Sequence, residues 1–432
     1  MSLINEIMSY RNILEAVKQV KSNKGAPGVD KMTVDEIESY IKEHYEEIRE
    51  QVLTKKYKPQ SVRRVYIPKA NGKTRPLGIP TIVDRVIQQA ISQVLSPIYE
   101  NYFSEYSYGF RPNRDCHKAM DKALKYINEG YTFIIDVDIE KYFDTVNHDK
   151  LISILRERMN DSQTLHLIRS FLKAGVMENG LVSPSIEGVP QGGPLSPLLS
   201  NIYLDKLDKE LEYRGLRFVR YADDFNIFVK SKDSAKRVKE SISSWLDRKL
   251  FLKVNVDKTK IVKPNDSEFL GFGFWNNDGV WRLLPLKSRK KRLKEKIKQT
   301  LIRKQAIARP LSETFTKLNQ IIIGWINYYK ISSMKLFIRE LGGWMRHKVR
   351  VVIIKQWKKP QTIFKNLKKL RDITKSSYTD KELLGIANAR QGLYRMCNYP
   401  IINFLLSPKI LETRKGDRPG LVNPLNYYLS KL

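Results

Sequence analysis

Apolar and polar residues recur along this chain with two periods, near 3.6 and 2, and these mark out its elements. Leu14, Val17 and Val20 are helically spaced and predict a helix over residues 1 to about 22. "NKGAPGVDK" (23–31) reads as a loop, and residues 33–53 read as a helix with acidic surface positions. "VRRVYIPKANGKTRPLGIP" (62–80) reads as two short strands joined by a turn at Asn71-Gly72. Helices are predicted at 81–99 and 116–128, around an aromatic and arginine-rich loop at 103–115. "YTFIIDVDI" (131–139) alternates as a strand, with Ile134, Asp136 and Asp138 on one face and Phe133, Ile135, Val137 and Ile139 on the other. Helices follow at about 148–158 and 162–174. A Gly/Pro-rich loop then opens into a helix within 187–211, with Ser196 as N-cap and Pro197 as the first helical residue. "RYADDF" (220–225) lies between the apolar, β-prone flanks "LRFV" and "NIFV" and reads as the turn of a hairpin. A helix near 232–249 and strands near 251–263 and 267–274 complete this part. From Leu286 onward the pattern is helical, with stripes at Leu293, Ile297 and Leu301 and at Phe315, Leu318, Ile322 and Trp325.

Composition adds a partner. The 432 residues are 41% hydrophobic, enough for a large core and two or three domains. Net charge is +32, and it is concentrated: from Pro285 to Leu432 there are 34 Lys and Arg against 8 Asp and Glu. Such an excess points to a polyanion, with a merely solubilising surface as the alternative. No apolar run approaches the roughly 20 residues of a membrane span, and there is no signal-peptide core, amphipathic anchor or lipidation motif, so a membrane is not the expected partner. Cys116 and Cys397 form no CxxC pair, which excludes a disulfide framework and argues against a cysteine zinc site. A reducing, cytoplasmic location associated with nucleic acid is expected. The composition shift near residue 285 is the main expected domain boundary.

Asp is a common turn residue, so Asp223 and Asp224 alone carry little. Asp138, ending an independent apolar strand, changes that. If its strand lies beside the 218–229 hairpin, Asp138 and Asp223 point at one spot at the end of a sheet. Clustered carboxylates repel unless cations sit between them, and hard oxygen ligands suit Mg²⁺. Two such ions activate an attacking hydroxyl and stabilise a leaving phosphate oxygen. With the charge excess, this points to phosphoryl transfer on nucleic acid. His117 and His148 sit among polar residues, and the histidines offer no catalytic pair.

Five segments occur in order: "DVDIEKYFDTVNH" (136–148), "VPQGGPLSPLLSNIYLDKLDKEL" (189–211), "RYADDFNIFV" (220–229), "LKVNVDKTKI" (252–261) and "EFLGFGF" (268–274). Together they resemble the palm motifs of a reverse transcriptase. "YIPKANGKTRPLGIPTIVDRVIQQA" (66–90) and "SYGFRPNRDCHKAM" (107–120) resemble the fingers of group II intron-encoded reverse transcriptases, the maturases. "LNQIIIGWINYYKI" (318–331) resembles their thumb, the maturase-specific region. The resemblance covers essentially the whole chain. It implies a right-hand polymerase of mixed α/β (α+β) class: fingers and palm around an antiparallel palm sheet, then a helical thumb and a small basic C-terminal domain. The expected division is an N-terminal extension (1–30), fingers and palm (31–284), thumb (285–360) and a basic RNA/DNA-binding domain (361–432).

The resemblance also implies roles. Asp138, Asp223 and Asp224 match the metal-binding carboxylates, with the Ile139 carbonyl assisting, and two Mg²⁺ ions (Mn²⁺ as substitute) are the implied cofactors. Asp138 is preferred over Asp136 because Phe143 lies five residues after it, as the family pattern requires; Asp136 is then a structural acid. Phe143 matches the steric gate against a 2′-hydroxyl, and Gln191, in the Gln191-Gly192-Gly193 turn, the residue that touches the nucleotide sugar. Lys69 and Arg75 match the triphosphate clamp, and Lys258 assists pyrophosphate departure. The alternative for Phe143 is an ordinary core ring; without the resemblance, Lys69 and Arg75 read as a solvated basic hairpin. Phe269, Leu270 and Gly271 match the primer grip, and Lys358, Lys359, Lys368 and Lys369 are expected RNA contacts.

The implied function is RNA-directed DNA synthesis from dNTPs on an RNA template with a DNA primer. Binding and splicing of a group II intron RNA, and retrohoming into target DNA, are expected with it. The chain reaches Leu432 without the paired Cys and His of an endonuclease module, so no DNA-cleaving activity is expected. The rivals are a domesticated reverse transcriptase in DNA repair or host defence, a splicing factor with incidental polymerase activity, and a viral-type RNA-dependent RNA polymerase. Intact Asp138, Asp223, Asp224 and Phe143 argue against the second, and the bulk of Phe143 against the third. The sequence leaves oligomeric state open.

Overall fold

The computed structural model describes residues 2–68, 72, 74–178, 181–183, 187–190, 192–413 and 419–432. They form two units, residues 1–267 and 268–432. The boundary expected near 285 falls inside the second unit.

The first unit has strands β1 (Val62–Pro68), β2 (Thr74–Ile79), β3 (Phe133–Val137), β4 (Val176–Glu178), β5 (Leu181–Ser183), β6 (Arg217–Tyr221), β7 (Asp224–Val229) and β8 (Lys260–Val262). They build two sheets, ordered β2-β1-β4-β5 and β6-β7-β3-β8. In the first, β1 runs parallel to β4, with Val62 opposite Val176, and the other pairs are antiparallel. The second is antiparallel throughout, with β3 between β7 and β8. The alternation in β3 sends Ile135 and Val137 into the core, while Asp136 lies opposite Asn226 on β7 and Lys260 on β8.

The N-terminal segment is part of this core. The helix expected over 1–22 is broken at Met8 and Ser9 into Leu3–Ile7 and Tyr10–Ser22, and Ser9 Oγ accepts from Asn12 N as the new N-cap. Ile4, Ile7, Met8, Ala16 and Val17 are buried with Ile82, Val86 and Ile91 of the helix Ile82–Glu100. Asn12 Nδ2 donates to the Ala90 carbonyl at 3.1 Å, and Asn12 Oδ1 accepts from Gln93 Nε2 at 2.6 Å. Fully burying such an aliphatic side chain is worth about 1.5–3 kcal/mol, so the anchoring is strong.

Several local expectations differ from the structure. Ser196 is not an N-cap: it is already helical in Ser196–Tyr213, and its hydroxyl donates to the Pro190 carbonyl at 2.6 Å, tying the Gly/Pro loop to the helix. The strand expected at 251–263 contracts to β8 plus one bridge between Ile139 and Val254, because residues 255–259 turn to wrap Asp138. The pair β4–β5 has mostly exposed side chains and lacks the apolar alternation that marks a strand.

The second unit opens with a hairpin of β9 (Phe272–Asn277) and β10 (Val280–Pro285), turned by Asp278 and Gly279, both at positive φ. The helices Lys287–Thr300, Leu311–Tyr329, Lys335–Trp357 and Pro360–Thr374 follow. Of the predicted stripes, Leu293, Ile297, Leu301, Phe315, Leu318 and Ile322 are buried and Trp325 half-buried. Among the described residues, no helix is long and apolar enough to cross a membrane.

Candidate active site

The hairpin β6–β7 closes in two residues, Ala222 and Asp223, with Tyr221 opposite Asp224. Ala222 is left-handed, with φ 59°, which costs a residue with a Cβ about 1–2 kcal/mol. The surroundings enforce that conformation. Segment 106–108 pairs along the back of β6: Tyr108 N donates to Arg220 O at 2.8 Å, and Arg220 N to Tyr106 O at 2.9 Å. Gly109 then passes so close beneath the turn that a Cβ there would collide with Ala222 N.

Arg220 holds the turn from inside. Arg220 and Asp208 both have 0% of their side chains exposed. Arg220 Nε and Nη2 donate to the two Asp208 oxygens at 2.7 and 2.5 Å, a bidentate pair. Its Nη1 donates to the Ala222 carbonyl at 2.9 Å and to Asn201 Oδ1 at 3.0 Å, and Asn201 Nδ2 donates to Gly109 O at 2.8 Å. One guanidinium thus links the helix Ser196–Tyr213, the 103–115 loop and the carboxylate-bearing turn. Sequence reading missed this network. The available signal was Arg220, an arginine following the apolar pair Phe218-Val219 inside the strand "RFVRY".

Asp138 lies just past β3. Its N donates to Thr259 Oγ1 at 3.2 Å, and its carbonyl accepts from Asn255 N at 2.8 Å. Its carboxylate takes both contacts of Lys258 Nζ, at 3.1 and 3.2 Å. Ile139 is buried, and Glu140 N donates to Lys253 O at 2.8 Å. Asp136 lies inside the sheet beside Asn226, whose side-chain amide, turned so that its nitrogen faces the carboxylate, donates to Oδ1 at 3.1 Å.

The carboxylates feel one another. Asp223 is pushed above the usual carboxylate range by desolvation and by Asp138, and pulled back by Arg75. Asp224 is raised to about 6 by desolvation, then by Asp223, Asp136 and Asp138, with Lys258 opposing. Among the described residues, no three His, Cys, Asp or Glu side chains stand close enough to form a metal-ligand cluster. The donor chemistry nevertheless fits a divalent ion: hard oxygens, mutual repulsion, and a lysine ammonium already neutralising Asp138. Lys258 has to yield its place for Asp138 to hold one.

A cleft of about 470 Å³ is lined by Arg75, Leu77, Phe110, Phe143, Gly192 and Gly193, with Asn23 and Gly25 from the N-terminal segment. Phe143 is half-buried on the single turn Tyr142–Thr145; Tyr142 anchors that turn with its hydroxyl on Ser200 O at 3.0 Å, and Phe143 O accepts from Val189 N at 2.7 Å. Gly192 has φ 121°, and a Cβ there would collide with Gly78 O on β2. Lys69 and Gln191 lie outside the described residues.

The remaining predicted residues lie in the second unit. Phe269 is buried; Leu270 and Gly271 both have positive φ, and Leu270 O accepts from Tyr328 Oη at 2.8 Å. Lys358, Lys359, Lys368 and Lys369 are exposed, but Lys368 is paired with Asp380 at 3.0 Å.

Two family models match the chain: "Reverse transcriptase (RNA-dependent DNA polymerase)" over residues 67–274 and "Group II intron, maturase-specific domain" over 290–373. Protein YkfC of Escherichia coli (strain K12) is 37% identical over 300 residues, covering 60% of this chain and 79% of YkfC. Group II intron-encoded protein LtrA of Lactococcus lactis subsp. cremoris is 33% identical over 343 residues, covering 62% of this chain and 57% of LtrA. A putative COX1/OXI3 intron 2 protein of Saccharomyces cerevisiae is 35% identical over 268 residues, covering 61% of this chain and 30% of that protein. The chain therefore spans most of YkfC but little more than half of LtrA and under a third of the yeast protein. With a reverse transcriptase domain followed by a maturase-specific domain, the chain belongs to the family of group II intron-encoded reverse transcriptases.

Proposed function

We propose that this chain is an RNA-directed DNA polymerase that extends a DNA primer on an RNA template, and that it also binds and helps splice a group II intron RNA. One observation supports the polymerase reading: Asp138 and the Asp223-Asp224 turn lie at the same end of an antiparallel sheet, close enough to act on one another electrostatically and within such reach of Arg75 and Lys258. Asp138, Asp223, Asp224 and the Ile139 carbonyl are the residues that hold Mg²⁺, two ions in this reading. Bound there, the ions supply activation of the primer 3′-hydroxyl and stabilisation of the leaving pyrophosphate.

The protein groups do the rest. Arg75 and Lys69 neutralise triphosphate charge as it redistributes. Phe143 places a ring beneath the sugar and excludes a 2′-hydroxyl, while Gly192 lets backbone approach the nucleotide. Lys258, released from Asp138, is positioned to follow the departing pyrophosphate. Phe269, Leu270 and Gly271 form the primer grip. The basic helices after Lys287 track the nucleic-acid backbone as thumb and C-terminal domain, with target DNA among their ligands.

The test is primer extension with Mg²⁺, beside RNA binding. Asp138→Ala or Asp223→Ala abolishes extension and leaves binding nearly intact, whereas Asp136→Ala costs less. The reverse ranking of Asp136 and Asp138 refutes the assignment. For the intron reading, splicing of a group II RNA is assayed with wild type and with Lys358 and Lys359 neutralised. These two lysines are better probes than the Lys368 and Lys369 pair, because Lys368 already has a carboxylate partner. Backbone contacts release counterions, so affinity falls steeply with salt and the double variant flattens that slope. A flat slope in wild type leaves the charge as solubilising surface.

A further inference from the structure

A second pocket, of about 460 Å³, lies wholly within the C-terminal unit, between the helix Lys335–Trp357 and residues 394–408. Its lining carries two arginines, a histidine, two large aromatic rings and two asparagines, and no carboxylate. Part of this wall is fixed. Arg350 donates to Leu406 O at 3.0 Å, to Asn403 O at 3.3 Å and to Asn403 Oδ1, and Asn403 Nδ2 donates to Asn398 O at 2.9 Å.

The rest of the wall has unused capacity. Arg346 precedes Arg350 by one helical turn, so both lie on one face. Among the described residues it makes no hydrogen bond or ion pair, and neither does the side-chain amide of Asn398. His347 Nε2 is buried without a partner, the kind of group that needs an explanation, because leaving it unmet costs about 1–3 kcal/mol. Burial first, then Arg350 and Lys348, hold the His347 pKa below its usual value. The ring is therefore neutral near pH 7 and suits an uncharged partner. Tyr394 covers it edge-on at 4.2 Å and is itself 48% exposed, with Lys348 Nζ 5.0 Å above its ring.

Aromatic faces answer a planar ring, a free guanidinium answers an anion, and neutral donors and acceptors answer the edge of a base. An aliphatic ligand would leave Arg346, His347 and Asn398 unmet. We propose that this pocket takes one unpaired nucleotide of a nucleic-acid strand: the base against Tyr394 and Trp344, its edge on His347 and Asn398, and the adjoining phosphate on Arg346. The inference rests on the reading of the chain as a nucleic-acid enzyme, but none of the proposed polymerase residues lines this pocket.

The test is fluorescence anisotropy on the full chain with three probes: a short single-stranded RNA, the same sequence as DNA, and a blunt RNA duplex. Tyr394→Ala weakens single-strand binding by roughly 5- to 100-fold, the range of one base–aromatic stack, and leaves blunt-duplex binding little changed. Arg346→Gln does the same and lowers the single-strand salt slope by about 0.7, one phosphate. Lys232→Gln, an exposed basic position of the first unit outside the proposed binding machinery, is the control and moves neither. Equal losses on RNA and DNA assign recognition to base and phosphate; a larger loss on RNA adds the 2′-hydroxyl. Variants that weaken single strand and duplex alike, or neither, overturn the proposal. Melting temperatures check folding, and Arg346→Gln stands in should Tyr394→Ala unfold. Wild-type primer extension separates the two readings: extension without a pocket effect sinks this inference alone, and neither extension nor binding sinks both.

Discussion

Replacing Arg220 with Met removes the group that joins the carboxylate-bearing turn to its helix. Asp208 is left as a buried charge without a partner, and the Ala222 and Asn201 oxygens each lose a donor. Breaking one side of such a buried pair costs about 3–5 kcal/mol, a large share of the roughly 5–15 kcal/mol that holds a protein folded. The measurement is hydrogen–deuterium exchange of peptides spanning β6 and β7. A loss of about 4 kcal/mol speeds exchange on the order of a thousandfold, because opening free energy sets the rate in the slow-exchanging core. Exchange within about tenfold of wild type would refute the reasoning. The double variant Arg220→Met, Asp208→Leu separates stability from positioning. Removing both charges restores much of the protection, but the Ala222 carbonyl remains unheld, so primer extension stays low. Full recovery of extension in the double variant would reduce the network to a stability device.

Phe143→Ala raises ribonucleotide relative to deoxynucleotide incorporation in a competition assay, and unchanged discrimination would demote the ring to packing. Gly109→Ala pushes a methyl into the backbone of Ala222; extension falls while RNA affinity holds, and an active variant would show that the turn is not braced there. Asp224, raised to about 6 from an ordinary 3.8, binds its proton more tightly folded than unfolded. Its favourable contribution is therefore present below about pH 4 and is lost as pH rises toward 6. Mg²⁺ relieves the repulsion that remains above that range, so the rise in melting temperature on adding Mg²⁺ is larger at pH 7.5 than at pH 5; equal shifts would argue against a carboxylate-held ion.

Local pattern made much of this architecture legible. Period-two alternation around Asp136 and Asp138 marked β3, and paired apolar flanks marked the turn at Asp223. What escaped was set by tertiary contact. Arg220 looks like a surface charge until Asp208, a little over three turns into the preceding helix Ser196–Tyr213, is brought against it. Ser196 has the residue type of a cap, yet the chain before it folds back so that its hydroxyl serves Pro190. The left-handed Ala222 follows from the close passage of Gly109, distant in sequence. The boundary near 285 tracked charge, which reports the solvent-facing surface. The hairpin ahead of it joins the second unit through its apolar side, where Phe272, Phe274 and Leu283 are buried. Asp138 was found from its strand, but its engagement by Lys258 depends on a turn with no apolar signature.

The position of β3 in its sheet also bears on how the chain is made. It is an inner strand, yet both its neighbours come later, β7 about 90 residues on and β8 beyond that. At synthesis rates of about 5–20 residues per second, β3 leaves the ribosome several seconds before either partner exists. For that interval an apolar strand is exposed on both edges, the state most prone to pair with another nascent chain. Asp136 and Asp138 interrupt the run with charge at its centre and its end, which is how natural sequences guard such segments. The acids that gather at the finished sheet thus serve first as solubilising gatekeepers of a strand waiting for its partners.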